Sequence, residues 1–180
     1  RENGLNQEDR LNKIISLPES EMLEFKETWS YNVRASENEN KPIKDPKMQF
    51  SCIKTIAAFM NSNGGDLIIG VTDDNAVEGL ARDLLLVNND SDKLERNISD
   101  LISNALGTDK KAFYNIYFNN IIDNKLIVHI VVKKNLHSKA WVNFSKEHDS
   151  QAFIRDGNQT KPLSSDEFDD YWYQRQIENQ

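Results

Sequence analysis

Three carboxylic acids and one lysine have the types and spacing that could support chemistry on a phosphate group. Glu19 precedes a predicted short strand, Glu24 and Lys26 lie on one face of that strand, and Asp73 follows a second, apolar strand. If the two strands pair, the three carboxylates can converge at one edge of a sheet. Clustered carboxylates repel one another unless a cation intervenes, and hard oxygen ligands are those that Mg²⁺ and Mn²⁺ prefer.

A divalent cation held by these acids could polarise a phosphoryl oxygen and lower the pKa of a bound water. Lys26 could then face the scissile phosphate. The spacing also permits a simpler interpretation, in which Glu19 is a solvated loop acid and Asp73 only a turn residue. Glu24 and Lys26 would then form an exposed pair that contributes little to stability.

The segments that position these residues predict a single α+β domain over residues 19–180, preceded by an amphipathic helical extension over residues 1–18. Strands are predicted at residues 22–26, 66–71, 113–121, 125–133 and 151–155, with a possible short strand at 77–80. One helix should begin at Pro46 with Asp45 as its cap, a second should cover residues 94–105, and a third residues 164–176. Residues 30–46 are polar and predict a loop. One mixed sheet covered by helices satisfies this order.

Composition restricts the classes of function. The chain has 180 residues, a net charge of −7 and a pI near 5.0, which argues against non-specific coating of nucleic acid but permits a nuclease with one basic face. No apolar run is long enough to cross a membrane, and no secretory signal is visible. The single cysteine, Cys52, lies in an apolar helical pattern and predicts core packing in a reducing, cytoplasmic compartment. Because residue 1 is Arg, we expect an excised domain or a processed chain.

Other candidate sites are weaker. Gly64-Gly65 follows a helix and lacks the lysine of a phosphate-binding loop, which favours a helix stop and counts against ATP binding as the main role. His137 and His148 have no zinc-ligand spacing with each other or with a cysteine, and His129 lies on an apolar strand, where we expect a core or edge position. Basic residues that could follow an RNA backbone, with Trp141 as a base-stacking partner, are Lys110, Lys111, Lys133, Lys134, Lys139, Arg155 and Lys161. A solvated rim is an equally good interpretation of these lysines.

Three segments of the sequence resemble the motifs of a known domain family. Residues 19–26 read Glu-Ser-Glu-Met-Leu-Glu-Phe-Lys, and residues 56–73 read Ile-Ala-Ala-Phe-Met-Asn-Ser-Asn-Gly-Gly-Asp-Leu-Ile-Ile-Gly-Val-Thr-Asp. Residues 153–157 read Phe-Ile-Arg-Asp-Gly, with Thr160 after them. In order and spacing these segments resemble the motifs of the Schlafen core domain over about residues 19–172.

The resemblance implies an Alba-like α/β core and a metal-dependent endoribonuclease that cleaves transfer or ribosomal RNA. It implies that Glu19, Glu24 and Asp73 hold Mg²⁺ or Mn²⁺, and Lys26 and Arg155 would neutralise the phosphate. Animal relatives join two such lobes around RNA, so a single lobe would act as a homodimer, and single-lobe relatives suggest a defence role. Many relatives instead use the domain as a nucleic-acid-binding or nucleotide-binding regulatory module, and this alternative stays open.

Overall fold

A four-stranded mixed sheet carries most of the segments that hold the predicted acids. The computed structural model describes residues 7–144 and 149–179. The strands are β1 (Leu23–Lys26), β2 (Gly65–Ile69), β3 (Tyr114–Ile122) and β4 (Lys125–Val132), in the spatial order β1-β2-β4-β3. β1 pairs in parallel with β2, and the other pairs are antiparallel. The predicted α+β class with a mixed sheet is confirmed, and so is the pairing of the two strands that flank the acids.

Helices cover both faces of this sheet. They are α1 (Gln7–Ile15), α2 (Val33–Glu39), α3 (Pro46–Asn61), α4 (Ala81–Leu85), α5 (Ser91–Leu106) and α6 (Ser165–Glu178), with a short 3₁₀ helix at Thr108–Phe113. The larger core joins the apolar faces of α3 and α5 to one side of the sheet. A smaller core packs Leu11 and Ile15 of α1 against Phe25 and Ile68 on the other side. Within the described residues, no helix is both long and apolar enough to cross a membrane.

The central helix α3 begins and ends close to the residues predicted from the sequence. Asp45 caps it, since its Oδ1 accepts a hydrogen bond of 2.9 Å from the Lys47 amide, and Pro46 occupies the first turn. After the helix, Gly64 adopts a φ of +78° and its amide donates to the Phe59 carbonyl at 2.8 Å. A Cβ at Gly64 would lie 2.6 Å from the Val132 carbonyl oxygen. Glycine is therefore required where the chain turns from α3 into β2.

A second sheet was not predicted. It contains β5 (Trp141–Val142), β6 (Gln151–Asp156) and β7 (Gln159–Leu163), in that spatial order, and only β6 was expected from the sequence. β5 is too short for a periodicity signal, and β7 contains a proline and a lysine. The buried amide of Asn61 at the end of α3 holds this sheet, because it donates to the carbonyls of Ala140 and Phe153 at 2.8 and 3.0 Å.

Two smaller predictions were wrong. Residues 33–39 form α2 rather than loop, because Asn32 caps this short helix by accepting from the Ala35 amide at 2.9 Å. The possible strand at 77–80 is reduced to a single bridge between Val77 and Val71. His148 and residues 1–6 lie outside the described residues, and α1 represents the predicted N-terminal helix.

Candidate functional site

Glu24 is the most enclosed of the predicted acids. It lies on β1 facing α3, and only 11% of its side chain is exposed. Its Oε1 pairs with the Lys26 ammonium, and its Oε2 lies 3.0 Å from Nη1 of Arg155. That second contact lacks hydrogen-bond geometry, and Oε2 is a buried oxygen without a hydrogen bond. The simple interpretation of Glu24 and Lys26 as an exposed pair is therefore wrong, because the side chain of Glu24 is largely buried. A buried carboxylate requires nearby positive charge, which Lys26 and Arg155 supply.

Glu19 lies beside the outer edge of the sheet. β1 is an edge strand, and Oε1 of Glu19 accepts a hydrogen bond of 2.8 Å from the otherwise unpaired amide of Phe25. The pKa of Glu19 is raised above its usual value of 4.5, mainly because partial burial disfavours the charged form. The hydrogen bond from Phe25 opposes this rise, repulsion by Glu24 and Asp73 adds to it, and Lys26 lowers it. Glu24, Lys26 and Asp73 therefore all contribute to the electrostatic surroundings of Glu19.

Asp73 occupies an exposed turn after β2. The turn is tied to the segment that leads to Glu19, because the side-chain Nδ2 of Asn75 donates to the carbonyls of Ile15 and Leu17, the latter at 2.8 Å. Asn75 adopts a φ of +67°, a left-handed conformation that asparagine tolerates. Because of this anchoring, Asp73 contributes to the electrostatic surroundings of Glu19 although it lies 54 positions later in the chain.

Arg155 reaches the acids from the second sheet. Its side chain is fully buried on β6, with the guanidinium 4.9 Å from the centre of the Phe59 ring. It donates to the Ser20 carbonyl at 2.7 Å, the Glu21 carbonyl at 3.3 Å and the Thr160 hydroxyl at 2.9 Å. Direct contact with an RNA phosphate stays a prediction for Arg155. Its surroundings favour a different role, in which it fixes the turn before β1 and the Glu24 carboxylate.

The remaining predicted phosphate-binding lysines lie apart from Lys26. Lys133 and Lys134 are exposed directly after β4. Lys139 pairs with Asp169 on α6, and Lys161 lies 3.5 Å from Asp156. The ring of Trp141 packs against Phe168 at 5.0 Å, which leaves it partly buried. RNA binding by these lysines stays a prediction.

The donor chemistry of the site suits a hard cation, but the side chains do not form a closed metal site. Across the described part of the chain, no three or more His, Cys, Asp or Glu side chains are grouped so that they could hold a metal ion. The features that fit a cation are Oε2 of Glu24, which accepts no hydrogen bond although Arg155 lies 3.0 Å away, and the carboxylates of Glu24 and Asp73, which raise the pKa of Glu19. The predicted Mg²⁺ or Mn²⁺ site therefore stays a prediction.

Asp83 was not predicted from the sequence as a structural residue, although its carboxylate holds the backbone segment that follows Lys26. It is fully buried at the start of α4 and accepts hydrogen bonds from the amides of Trp29, Ser30 and Tyr31 at 3.0, 2.7 and 3.1 Å. Burial raises the pKa of this carboxyl, and the hydrogen bonds oppose the rise. The sequence signal was only a polar residue among leucines, which is too common in amphipathic segments to identify an anchor.

Comparisons with known proteins identify the family and agree with the fold. The family model described as Schlafen, AlbA_2 matches residues 19–164. The crystal structure of the DIP2311 protein from Corynebacterium diphtheriae is similar, with a TM-score of 0.53, 16% sequence identity and coverage of 84% of this chain. At that identity the likeness shows the fold alone, and this chain covers only 23% of that one. No curated protein matches the sequence.

Proposed function

We propose, since the chain belongs to the Schlafen AlbA_2 family, that it is a divalent-metal-dependent endoribonuclease domain acting on structured RNA such as transfer RNA. Family membership supports a nucleic-acid-related domain. The observation that carries the finer proposal is the hydrogen bond that joins Glu19 to Phe25, the residue next to Glu24 on β1. This contact keeps Glu19 beside the strand of Glu24, and both Glu24 and Asp73 raise the pKa of Glu19. A bound cation would offset the repulsion between these carboxylates.

Each residue would have a distinct role. Glu19, Glu24 and Asp73 would hold Mg²⁺ or Mn²⁺, which when bound supplies Lewis-acid stabilisation of a phosphoryl oxygen and a more acidic water. Lys26, whose side chain is 23% exposed, would exchange its pairing with Glu24 for the negative charge of the scissile phosphate. Arg155 would be a positioning residue, because its buried guanidinium holds Glu24 while remaining out of reach of solvent.

The partners we propose are transfer or ribosomal RNA and a second copy of the chain. A homodimer would extend the surface that grips RNA beyond one small acidic lobe, with Lys133 and Lys134 as phosphate contacts. The buried thiol of Cys52 is compatible with action in the cytoplasm.

The test is cleavage of a transfer-RNA pool in Mn²⁺, Mg²⁺ or EDTA. Asp73→Asn is the sharpest variant, because Asp73 is exposed and its loss should leave the fold intact. We expect discrete fragments from the wild type, none in EDTA, and a loss of roughly 100-fold or more in rate for Asp73→Asn and for Glu24→Gln. Asp100→Asn on α5 changes the same charge at another exposed position and should cleave like the wild type.

One observation favours a second candidate, the non-catalytic nucleic-acid-binding module. Lys26 and Arg155 already neutralise Glu24, so its burial is compensated without a metal ion. If the folded wild type binds transfer RNA in every buffer and cleaves none of it, this module replaces the nuclease. If cleavage persists in EDTA or in Asp73→Asn, the acid site is not its source.

A further inference from the structure

A pocket of about 270 Å³ opens next to Lys26. Its lining includes Lys26, Thr28, Tyr31, Arg34, Met48 and Ser51. Lys26 belongs both to this lining and to the ion pair with Glu24. A ligand in the pocket would therefore lie directly beside the proposed reaction site.

The pocket wall is built to keep its shape. The backbone from Trp29 to Tyr31 is held by three hydrogen bonds to the buried carboxylate of Asp83. The next residue, Asn32, donates to Asp45 at 2.8 Å and caps α2. Rotations of this backbone would break hydrogen bonds to a buried charge, so Tyr31 and the first turn of α2 are fixed relative to β1.

Two side chains of the lining have no partner of their own. Tyr31 is half-buried and Arg34 is exposed, and neither side chain makes a hydrogen bond or ion pair within residues 7–144 and 149–179. The other cations at this place are engaged, since Lys26 pairs with Glu24, and Arg82 with the lining residue Glu27 at 2.5 Å. An aromatic ring and a guanidinium that line the same pocket therefore remain available to a ligand.

We propose that this pocket holds one unpaired nucleotide of an RNA strand, with its base against Tyr31 and its phosphate against Arg34. An aromatic ring offers a stacking surface to any base, and a guanidinium matches a phosphate in geometry and charge. The volume lies just below the range of about 300–1,000 Å³ typical of drug-sized ligands, which suits a single nucleotide. The proposal rests on the proposed function, and it adds that the substrate must be unstacked beside the cleaved bond.

Binding rather than cleavage tests this subsite. A fluorescently labelled, unstructured oligoribonucleotide is titrated with the full chain in EDTA, and its anisotropy gives the Kd. The variants are Tyr31→Ala, Tyr31→Phe and Arg34→Gln. The matched controls are Tyr173→Ala, which removes an exposed ring on α6, and Arg10→Gln, which removes an exposed guanidinium on α1.

We expect Tyr31→Ala to weaken binding at least about fivefold while Tyr31→Phe, which keeps the ring, binds like the wild type. Arg34→Gln should weaken binding and lower the dependence of log Kd on log salt concentration by about one phosphate contact. Both controls should leave the Kd unchanged. Since Arg34 is exposed, its variant remains informative even if Tyr31→Ala folds poorly.

The subsite is wrong if Tyr31→Ala and Arg34→Gln bind the oligoribonucleotide as the wild type does, or if the wild type binds none. It is also wrong if an oligodeoxyribonucleotide of the same sequence binds more tightly than the RNA. Metal-dependent cleavage of transfer RNA with unchanged oligonucleotide binding would overturn the pocket and leave the nuclease standing. If oligonucleotide binding depends on Tyr31 but the protein never cleaves transfer RNA, the subsite stands and the nuclease proposal is overturned.

Discussion

Replacement of Arg155 by Met should destabilise the protein more than any change to an exposed cation. Arg155 has no exposed side-chain surface, and its Nη1 lies 3.0 Å from Oε2 of Glu24. Methionine matches only the aliphatic part of the arginine side chain, so the substitution removes the guanidinium with its charge, its hydrogen bonds and its contact with the Phe59 ring. It leaves a carboxylate that is only 11% exposed with Lys26 as its one remaining cation among the described residues.

The magnitude follows from the burial of both partners. Breaking a buried ion pair by removing one member costs about 3–5 kcal/mol, because the other charge remains buried without compensation. Lys26 still pairs with Glu24, so we expect the lower end, about 3 kcal/mol. For a chain of this size each kcal/mol lowers Tm by about 2–4 °C, which predicts a loss of about 6–12 °C.

The assay is urea unfolding of four proteins: the wild type, Arg155→Met, Glu24→Gln and the double variant. Neutralising Glu24 removes the stranded charge, so the cycle should give a coupling free energy of about 1 kcal/mol or more. Lys161→Met serves as the control, because Lys161 and Asp156 are 56% and 67% exposed and their pair should contribute under about 1 kcal/mol. A loss below about 1 kcal/mol for Arg155→Met, or no coupling with Glu24, would refute this reasoning.

Three further predictions concern titration, reactivity and backbone geometry. Because the folded-state pKa of Glu19 is raised above 4.5, the folded protein binds its proton more tightly than the unfolded chain. The free energy of unfolding should therefore fall as pH rises from 4.5 through the raised pKa, and less steeply in Glu19→Gln, as measured by unfolding at several pH values. Burial raises the pKa of the Cys52 thiol to about 12, so a thiol reagent should label Cys52 only after unfolding; rapid labelling of the native protein would contradict this. Gly64→Ala should lower Tm, because its Cβ would meet the Val132 carbonyl; an unchanged Tm would contradict the tight approach.

The sequence predicted those elements whose signals are local. The cap at Asp45 with Pro46 located the start of α3. The helix predicted at residues 164–176 begins where Ser164 and Glu167 exchange hydrogen bonds, a local capping pattern. Asp123 and Asn124 separate the predicted strands 113–121 and 125–133, and both adopt the left-handed conformation that a tight turn requires. Each of these signals depends on residues within one turn of the chain, so no tertiary information was needed.

Features that depend on distant partners were not accessible in this way. Contact of Arg155 with RNA stays a prediction, and the sequence did not indicate that its guanidinium donates to the carbonyl of Ser20, 135 residues away in sequence. Residues 33–39 carry polar side chains typical of a loop, and their helix depends on the cap by Asn32. Asp83 is 52 residues from Tyr31 in sequence, so no local signal indicated that its carboxylate accepts a hydrogen bond from the Tyr31 amide.

The position of Glu24 therefore depends on both sheets, and not only on the strand that carries it. β1 is an edge strand of four residues, and such a strand alone cannot hold a carboxylate out of water. Arg155 of β6 supplies the compensating charge and ties the turn before β1, while Asn75 ties the Asp73 turn to the end of α1. A ligand that binds these carboxylates must alter the same contacts. Its binding should thus change the stability of the contact between the two sheets, and metal binding and folding would be thermodynamically coupled.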